Sequence, residues 1–294
     1  MGLTAAIDVR MMINGLKFCF AKFMNETTVE RVQNPDAICG NQDPLLQRTA
    51  SGRRQVSYST YHDITVPVLE TLLPLMGTTN VSGTYTVNQQ SPPTCHNTID
   101  LGGAIHKFTN SRINRAIIRG QQGTMPCSIE CQWIADDEEK LQSATWAEGA
   151  VDNIMAFPGT TYSANSLPYK IDRFAFVIDR KLVTSFNASP TLTDVGSGPR
   201  QTMLATTIPY IPDNADVYWS NRDSTLGIPH ALAITNGGDT LTINIPKGVL
   251  VPEGISVPGA LGEVRLPLTW EAHRQYVNNA DVPAFNLVLQ KSNP

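Results

Sequence analysis

Two cysteines, Cys127 and Cys131, share one face of an alternating run that ends at Trp133. Thiolates are zinc ligands, so this pair is a candidate metal site. Residues four positions apart in a strand are separated by about 13 Å, at ~3.3 Å per residue, which is too far to share one ion. The alternation therefore predicts that both thiols pack in a core.

The other grouping of metal-ligating types is Cys95-His96 with His106. It matches no established ligand spacing, and the chain contains no phosphate loop, dinucleotide-binding fingerprint, nucleophile elbow or His-Glu-x-x-His motif. The five cysteines are irregularly spaced and odd in number, so they indicate no disulfide framework. We therefore expect neither an enzyme nor a bound cofactor or metal.

Arginines recur in a repeated context, because Gly52-Arg53-Arg54-Gln55 returns as Gly198-Pro199-Arg200-Gln201. Guanidinium groups bind carboxylates with two parallel hydrogen bonds. The pattern is consistent with a carboxylate grip on a neighbouring subunit, and equally with a solvated strand end. The candidate inter-subunit residues are Arg53, Arg54, Gln55, Arg200 and Gln201.

An acidic run, Asp136-Asp137-Glu138-Glu139, could be a cation site or a solvated helix start. Acidic residues are favoured at a helix start by the helix dipole. We interpret 136–166 as a linker that is partly helical.

The elements around these residues are mostly strands. Asn14-Gly15 separates two apolar runs and predicts a hairpin turn. The stretch Gly52–Val66 alternates as strands do, and Val68–Met76 has helical spacing followed by Gly77 in a C-cap position. The polar segment 78–98 is predicted to be a connector that carries one hairpin.

The second half repeats this order of elements. The stretch Gly198–Pro212 corresponds to Gly52–Val66, and Trp270 closes a strand as Trp133 does. We therefore predict a tandem duplication. Residues 1–135 form the first unit with an insertion at 78–98, 136–166 the linker, and 167–294 the second unit with a C-terminal tail.

The composition restricts the function further. The chain has 294 residues, 16% of them charged, and a net charge of −4. Without a basic block it lacks the phosphate-neutralising surface of a nucleic-acid-binding protein. We expect a protein without a signal peptide or a membrane-spanning segment, folded in a reducing compartment.

These features resemble the tail tube (major tail) proteins of long-tailed bacteriophages. The resemblance rests on the long Pro/Gly-rich hairpin loop 35–49, the Gly52-Arg53-Arg54-Gln55-Val56 strand, the helix Val68–Met76 and the tryptophan-bearing strand. It covers about 11–135 and 167–273. It implies a mainly β chain of two tandem tail-tube-like β-sandwich or barrel units, each with a short helix.

Single-unit members of that family form hexameric rings, which stack into a tube that conducts DNA. A duplicated subunit therefore implies a trimeric ring with pseudo-sixfold symmetry and an inner β-barrel. The implied partners are further copies of the chain, the tail terminator, tape measure and distal tail proteins, and DNA passing without specific binding. The implied location is the phage tail, after synthesis in the host cytoplasm. Candidate inter-ring loop residues are Pro35, Asp36, Asn41, Asp43, Pro190 and Asp194.

Two alternatives are open at this point. The chain could be another ring component of the virion, such as a distal tail or baseplate protein. It could instead be a β-sandwich carbohydrate-binding module with Tyr162, Tyr169 and Trp219 as exposed platforms. In a tube, we expect alternating strands with polar Ser/Thr faces, such as those of Ser57, Ser59, Thr202 and Thr206, and a lumen lined by short polar and acidic residues.

Overall fold

The structure is a computed structural model that describes residues 9–18, 22–33, 49–87, 93–146, 153–186, 192, 194–252, 264–277 and 280–292. The fold is mainly β, as predicted, with one short helix in each half. The helices are α1 (Val66–Leu75) and α2 (Pro212–Trp219), and a 3₁₀ turn spans Phe157–Gly159. The strands are β1 (Val9–Ile13), β2 (Leu16–Phe18), β3 (Lys22–Asn25), β4 (Thr28–Gln33), β5 (Thr49–Asp63), β6 (Thr78–Val81), β7 (Thr84–Val87), β8 (Cys95–Leu101), β9 (Ile105–Gln121), β10 (Thr124–Ala135), β11 (Asp137–Leu141), β12 (Thr160–Ala164), β13 (Leu167–Tyr169), β14 (Arg173–Asp179), β15 (Val183–Ser185), β16 (Asp194–Gly196), β17 (Gln201–Pro209), β18 (Ile228–Asn236), β19 (Asp239–Val251), β20 (Arg265–Ala272), β21 (Gln275–Val277), β22 (Ala280–Val282) and β23 (Asn286–Gln290).

A continuous antiparallel sheet joins the two halves. Its pairings run in the order β3-β5-β10-β9-β14-β17-β20-β19. The strand β9 changes partners along its length: its first part lies between β8 and β11, and its last part between β10 and β14. The junction between the halves is therefore a β-ladder and not a loose interdomain contact.

The register of this sheet is the same around the two tryptophans. Trp133 of β10 lies opposite Tyr58 of β5, and Trp270 of β20 lies opposite Leu204 of β17. Both indoles are almost completely buried. Because side chains alternate between faces along a strand, each tryptophan marks the covered face of its part of the sheet.

Turn chemistry explains the tight hairpins. Asn14 and Gly15 have φ values of 47° and 89°, as the predicted two-residue turn between β1 and β2 requires. The polar segment after α1 contains the predicted hairpin, β6–β7, whose turn residues Ser82 and Gly83 also have positive φ. Strand β7 pairs with β23, so this insertion contacts the C-terminal part of the chain.

The helix α1 forms where the sequence predicts it, but it begins two residues before the predicted start, at Val66. Thr65 is its N-cap, and the Thr65 hydroxyl accepts a hydrogen bond from the Val68 amide. Gly77, with φ +79°, lies just after the end of the helix. The apolar side chains of α1 are buried in the main core, whereas α2 is more polar.

The helix predicted at the acidic run is wrong. Asp137–Leu141 form β11, which pairs with the first part of β9, and the only helical piece of 136–166 among its described residues is the 3₁₀ turn. The dipole argument failed because a cation from a distant strand binds these carboxylates: Arg54 of β5 forms ion pairs with both Asp137 and Glu138. Within the described ranges, no helix combines the length and apolar character that crossing a membrane requires.

Candidate functional site

One face of the continuous sheet packs against the main core. The opposite face, called here the uncovered face, is only partly exposed, since Glu130 and Val177 on it are buried. On the uncovered face, one row crosses successive strands from Lys22 through Tyr61 and Glu130 to Ile117 and Val177. The alternation of strands dictates this face, because its residues are the neighbours of core residues in sequence. Strands from both halves build this face, because the row continues across the β9–β14 ladder.

Charges on the uncovered face are paired across strands. Arg119 of β9 bonds to Glu130 of β10, and its guanidinium lies 5.6 Å from the centre of the Tyr61 ring. The Lys22 ammonium lies 5.3 Å from the same ring. Partial burial and the Glu130 charge raise the pKa of Tyr61, which therefore stays neutral. The face thus combines cations with matching carboxylates.

The residues predicted to form polar Ser/Thr strand faces are divided between the two faces of the sheet. Ser59 is on the uncovered face but is itself buried, because the Glu26 carboxylate covers it and accepts its hydroxyl hydrogen bond at 3.1 Å. Thr202 and Thr206 share the covered face with Leu204 and are buried. The prediction that these threonines form a polar strand face is wrong, because they lie on the buried face of β17.

The outer edge of the sheet lies at β3. Among the described residues, β3 has one partner strand, β5, whereas β14 is paired on both sides, with β9 and with β17. The β9–β14 ladder contains seven residue pairs, from Arg173–Gln121 to Asp179–Arg115. An edge with unpaired N–H and C=O groups can accept a further strand.

The predicted arginine contacts have separate surroundings. Arg54 binds Asp137 at 3.1 Å and Glu138 at 3.3 Å within its own chain. Arg200 is partly buried, which lowers its pKa. Gln201 donates to Glu271 at 3.4 Å. Of the remaining predicted contact residues, Arg53 and Gln55 lie in β5.

The predicted inter-ring loops are only partly visible. Pro35, Asp36, Asn41, Asp43 and Pro190 lie outside the described residues. Asp194 begins β16, which forms a small two-stranded sheet with β15. Their contact with a neighbouring ring stays a prediction.

Sequence reasoning missed Arg180, which comes directly after β14. It is 2% exposed, and its Nη1 donates to the Leu75 carbonyl at the end of α1, at 3.5 Å. Burial and the charge of Arg200 lower the pKa of Arg180 to about 10. The run Asp179-Arg180-Lys181 carried no signal, since charged residues after an apolar strand are ordinarily solvated.

The cysteines considered as candidate metal ligands are buried in the protein. Cys127 and Cys131 are buried in the core as predicted, and burial raises the pKa of both thiols, that of Cys127 to about 11. Such thiols are poor nucleophiles. The Cys95 thiol donates to Asn97 at 3.4 Å, and burial raises its pKa to about 12. In the part of the chain that the structure describes, no cluster of three His, Cys, Asp or Glu could hold a metal ion.

The aromatic platforms proposed for a sugar-binding module do not form one surface. Tyr162 is buried, and its hydroxyl lies 3.0 Å from His230 Nδ1, so the expectation that it is exposed is wrong. Tyr169 is partly buried beside it. Trp219 is half-exposed at the end of α2.

Comparison with known proteins agrees with a structural role for this sheet. The model of one family, described as phage tail tube protein, matches residues 41–272. This range includes β5 to β20, and therefore nearly the whole continuous sheet. A search of curated proteins gave no match.

Proposed function

Because the chain belongs to the family of phage tail tube proteins, we propose that it forms trimeric rings with pseudo-sixfold symmetry. These rings stack into the hollow tube that conducts DNA from a phage particle to the host. In this proposal the chain has a structural role and no catalytic one. Each ring would take six sheet units from three chains.

The observation that carries the proposal is the β9–β14 ladder. It joins the first half to the second through seven antiparallel pairs. The strand β3 has the same place in the first half as β14 in the second: Phe23 lies opposite Thr60, and Phe174 lies opposite Thr206. We infer that the open edge of β3 pairs with a strand at the end of a neighbouring chain's second half, as β14 pairs with β9.

The proposed duplication is supported by matched registers. Tyr58 and Leu204 are 146 residues apart (204 − 58), and each lies opposite a tryptophan. Gly52 and Gly198, which open the repeated sequence, are separated by the same 146 residues (198 − 52). An agreement between a sequence repeat and a ladder register favours descent of both halves from one unit.

By the same correspondence, the end of β19 in one chain would pair with the open edge of β3 in its neighbour. Its last residues, Gly248–Val251, pair with β20 as the last part of β9 pairs with β10. On the other side of that segment, β18 reaches only Gly248 among the described pairings. Closing three such joints would remove every open edge of the sheet, which is the advantage of a barrel.

The uncovered face is proposed as the lumen wall. Two of its arginines bind carboxylates, in the Arg119–Glu130 and Arg265–Asp172 pairs, whereas Arg173 bonds to the Thr207 hydroxyl. Phosphate binding draws much of its free energy from counterions that leave the DNA when Lys and Arg neutralise its phosphates. A wall of internally compensated charges lets DNA pass with little adhesion. Contacts with the tail terminator, tape measure and distal tail proteins would lie at the ends of the tube.

Negative-stain electron microscopy with light scattering tests the assembly. We expect rings or tubes with a central channel and a ring mass of about 96 kDa, three times 32.1 kDa. An Asp substitution in β3 tests whether its open edge is the joint between chains. Phe23 and Asn25 have backbone amides that point away from β5, but they are unsuitable for this substitution because both side chains have internal contacts. Met24→Asp is better, since Met24 is exposed on the uncovered face beside that edge. A stable wild-type monomer at high concentration would contradict the proposal.

A further inference from the structure

Each half of the chain places one exposed cation at the same position of the uncovered face. Lys22 of β3 lies opposite Tyr61 of β5, and Arg173 of β14 lies opposite Thr207 of β17. Tyr61 and Thr207 are separated by 146 residues (207 − 61), which is also the separation of the repeated sequences. Both cations are exposed. The position therefore carries a positive charge in both halves, as lysine in one and as arginine in the other.

The positive charge is the feature that the two rows have in common. Continuing across the sheet, Tyr61 lies opposite Glu130, whereas Thr207 lies opposite Pro267. The carboxylate of the first half thus has no counterpart in the second, and a hydroxyl group replaces the aromatic ring. A cation that is kept while its neighbours differ indicates that the charge itself is used.

Both side chains are held in place without being neutralised. The Lys22 ammonium lies 5.3 Å from the centre of the Tyr61 ring, which is a cation–π contact. Arg173 donates from Nε to the Thr207 hydroxyl at 2.8 Å, and this contact uses one of its five N–H donors. Among the described residues, neither cation forms an ion pair with a carboxylate. Both charges are therefore available to an anion from outside the chain.

The carboxylates that the strand order brings near these two cations have other surroundings. They are Glu26, Asp63, Glu130 and Asp172. Arg119 binds Glu130, and Arg265 binds Asp172. The Glu26 carboxylate accepts the hydrogen bond from Ser59. Asp63 follows Tyr61 by two residues and lies opposite Ser128. The two exposed cations are thus left without a carboxylate partner in the described part of the chain.

In the ring proposed above, the two positions generate one circle of charge. The pseudo-sixfold rotation carries the first half of a chain onto the second, and so it carries Lys22 onto the place of Arg173. A rotation about the ring axis leaves the level along that axis unchanged. Three Lys22 and three Arg173 side chains would therefore lie at one level of the lumen wall, and they are called here the cation circle.

We propose that the cation circle contacts the phosphate groups of double-stranded DNA inside the tube. The proposal rests on the proposed function, since only a closed ring brings the six side chains to one level. Ammonium and guanidinium groups both bind phosphate, and a guanidinium does so with two parallel hydrogen bonds. Contacts of this kind carry no sequence information, so DNA of any sequence can exchange one phosphate for the next as it moves.

Binding of a short duplex to assembled tubes tests this contact. The probe is a fluorescent, blunt-ended DNA duplex, and the fraction that sediments with the tubes is measured at increasing salt concentrations. The variants are Lys22→Gln and Arg173→Gln, singly and together. The matched control is Lys140→Gln, which removes an exposed charge from β11, outside the continuous sheet.

We expect wild-type tubes to retain the duplex at low salt and to release it as the salt concentration rises. The double variant should bind at least about tenfold more weakly and with a smaller salt dependence, because fewer phosphates are neutralised. The two single variants should weaken binding by similar factors, and Lys140→Gln should leave it unchanged.

The proposal and the tube function can fail separately. If tubes form and the double variant binds the duplex as tightly as wild type, or wild-type tubes retain no duplex at low salt, the proposal is overturned while the tube function stands. A loss confined to one single variant would also refute a shared circle. If Lys22→Gln, which lies at the open edge, blocks assembly, Arg173→Gln decides alone: weaker binding supports the contact, and unchanged binding overturns it. A wild-type protein that never assembles overturns both.

Discussion

The indole N–H of Trp133 donates a 2.9 Å hydrogen bond to the hydroxyl of Thr60, inside the core and between two adjacent strands of the sheet. The same hydroxyl lies 3.1 Å from Nε2 of His62. Trp133 thus fixes the register of β10 on β5 by a polar contact as well as by its volume.

Replacing this indole should be costly. We expect Trp133→Phe to lower the free energy of unfolding by about 2–3 kcal/mol, since it leaves a cavity and removes a buried hydrogen bond. Trp270→Phe is the control, because its indole nitrogen has no hydrogen-bond partner among the described residues. Urea unfolding of unassembled protein should show a cost about 1 kcal/mol larger for Trp133→Phe. Equal costs would show that the hydrogen bond adds nothing.

Gly198 is required by a close backbone approach. A Cβ there would lie 2.2 Å from the Lys181 carbonyl oxygen, whereas a Cβ at nearby Gly196 would lie 3.9 Å from the Val183 oxygen. We expect Gly198→Ala to cost roughly 2–3 kcal/mol and Gly196→Ala less than about 1 kcal/mol. Thermal unfolding of both variants measures the difference. A Gly198→Ala protein as stable as Gly196→Ala would refute the steric account.

Protonation of His230 should weaken the fold in acid. Burial lowers its pKa from 6.5 to about 3. Because the folded-state pKa lies below the unfolded one, its contribution is fully present above about pH 6.5 and is lost as the pH falls toward 3. The slope is at most about 1.4 kcal/mol per pH unit.

The test compares unfolding free energies across this pH range for wild type and His230→Gln, which keeps a polar group near Tyr162. We expect a flatter pH dependence in the variant, since the carboxylate contributions are common to both proteins. His273→Gln is the control, because that imidazole is half-exposed. An unchanged slope in His230→Gln would mean that another group sets the acid sensitivity.

Hydrogen exchange can locate the joint between chains. The Glu26 amide donates to the Ser57 carbonyl of β5. Because successive amides of a strand point to opposite sides, the amides of Phe23 and Asn25 point to the open edge. We expect these two amides to exchange fast in unassembled protein and at least about tenfold more slowly in tubes. Amides of β14 should be protected in both states. Fast exchange at β3 within tubes would exclude this strand from the joint.

The sequence predicted features that depend on local chemistry. The Asn14-Gly15 turn, the helix after Thr65 and the alternation around Trp133 result from backbone conformation and periodicity, and the structure contains all three. The helix prediction at the acidic run failed because Asp137 and Glu138 bind Arg54 of β5, which is distant in sequence. Tertiary contacts of this kind leave no local signature.

Site residues were harder to predict for the same reason. The recurrence of arginine at 54 and 200 is visible in the sequence, but their different surroundings depend on the segments that come after β10 and β20. Arg180 was overlooked because its buried side chain contacts the end of α1, about 100 residues earlier in the chain. There it donates a hydrogen bond to the Leu75 carbonyl. Only the folded chain brings these groups together.

The two helices differ in the exposure of one corresponding position. Leu73 of α1 is fully buried, while Trp219, which is 146 residues later (219 − 73), is half-exposed at the end of α2. A ring of three such chains would therefore repeat this aromatic spot every 120°, not every 60°. In the ring proposed above, an accessory protein that recognised this indole would bind in three copies per ring and not in six.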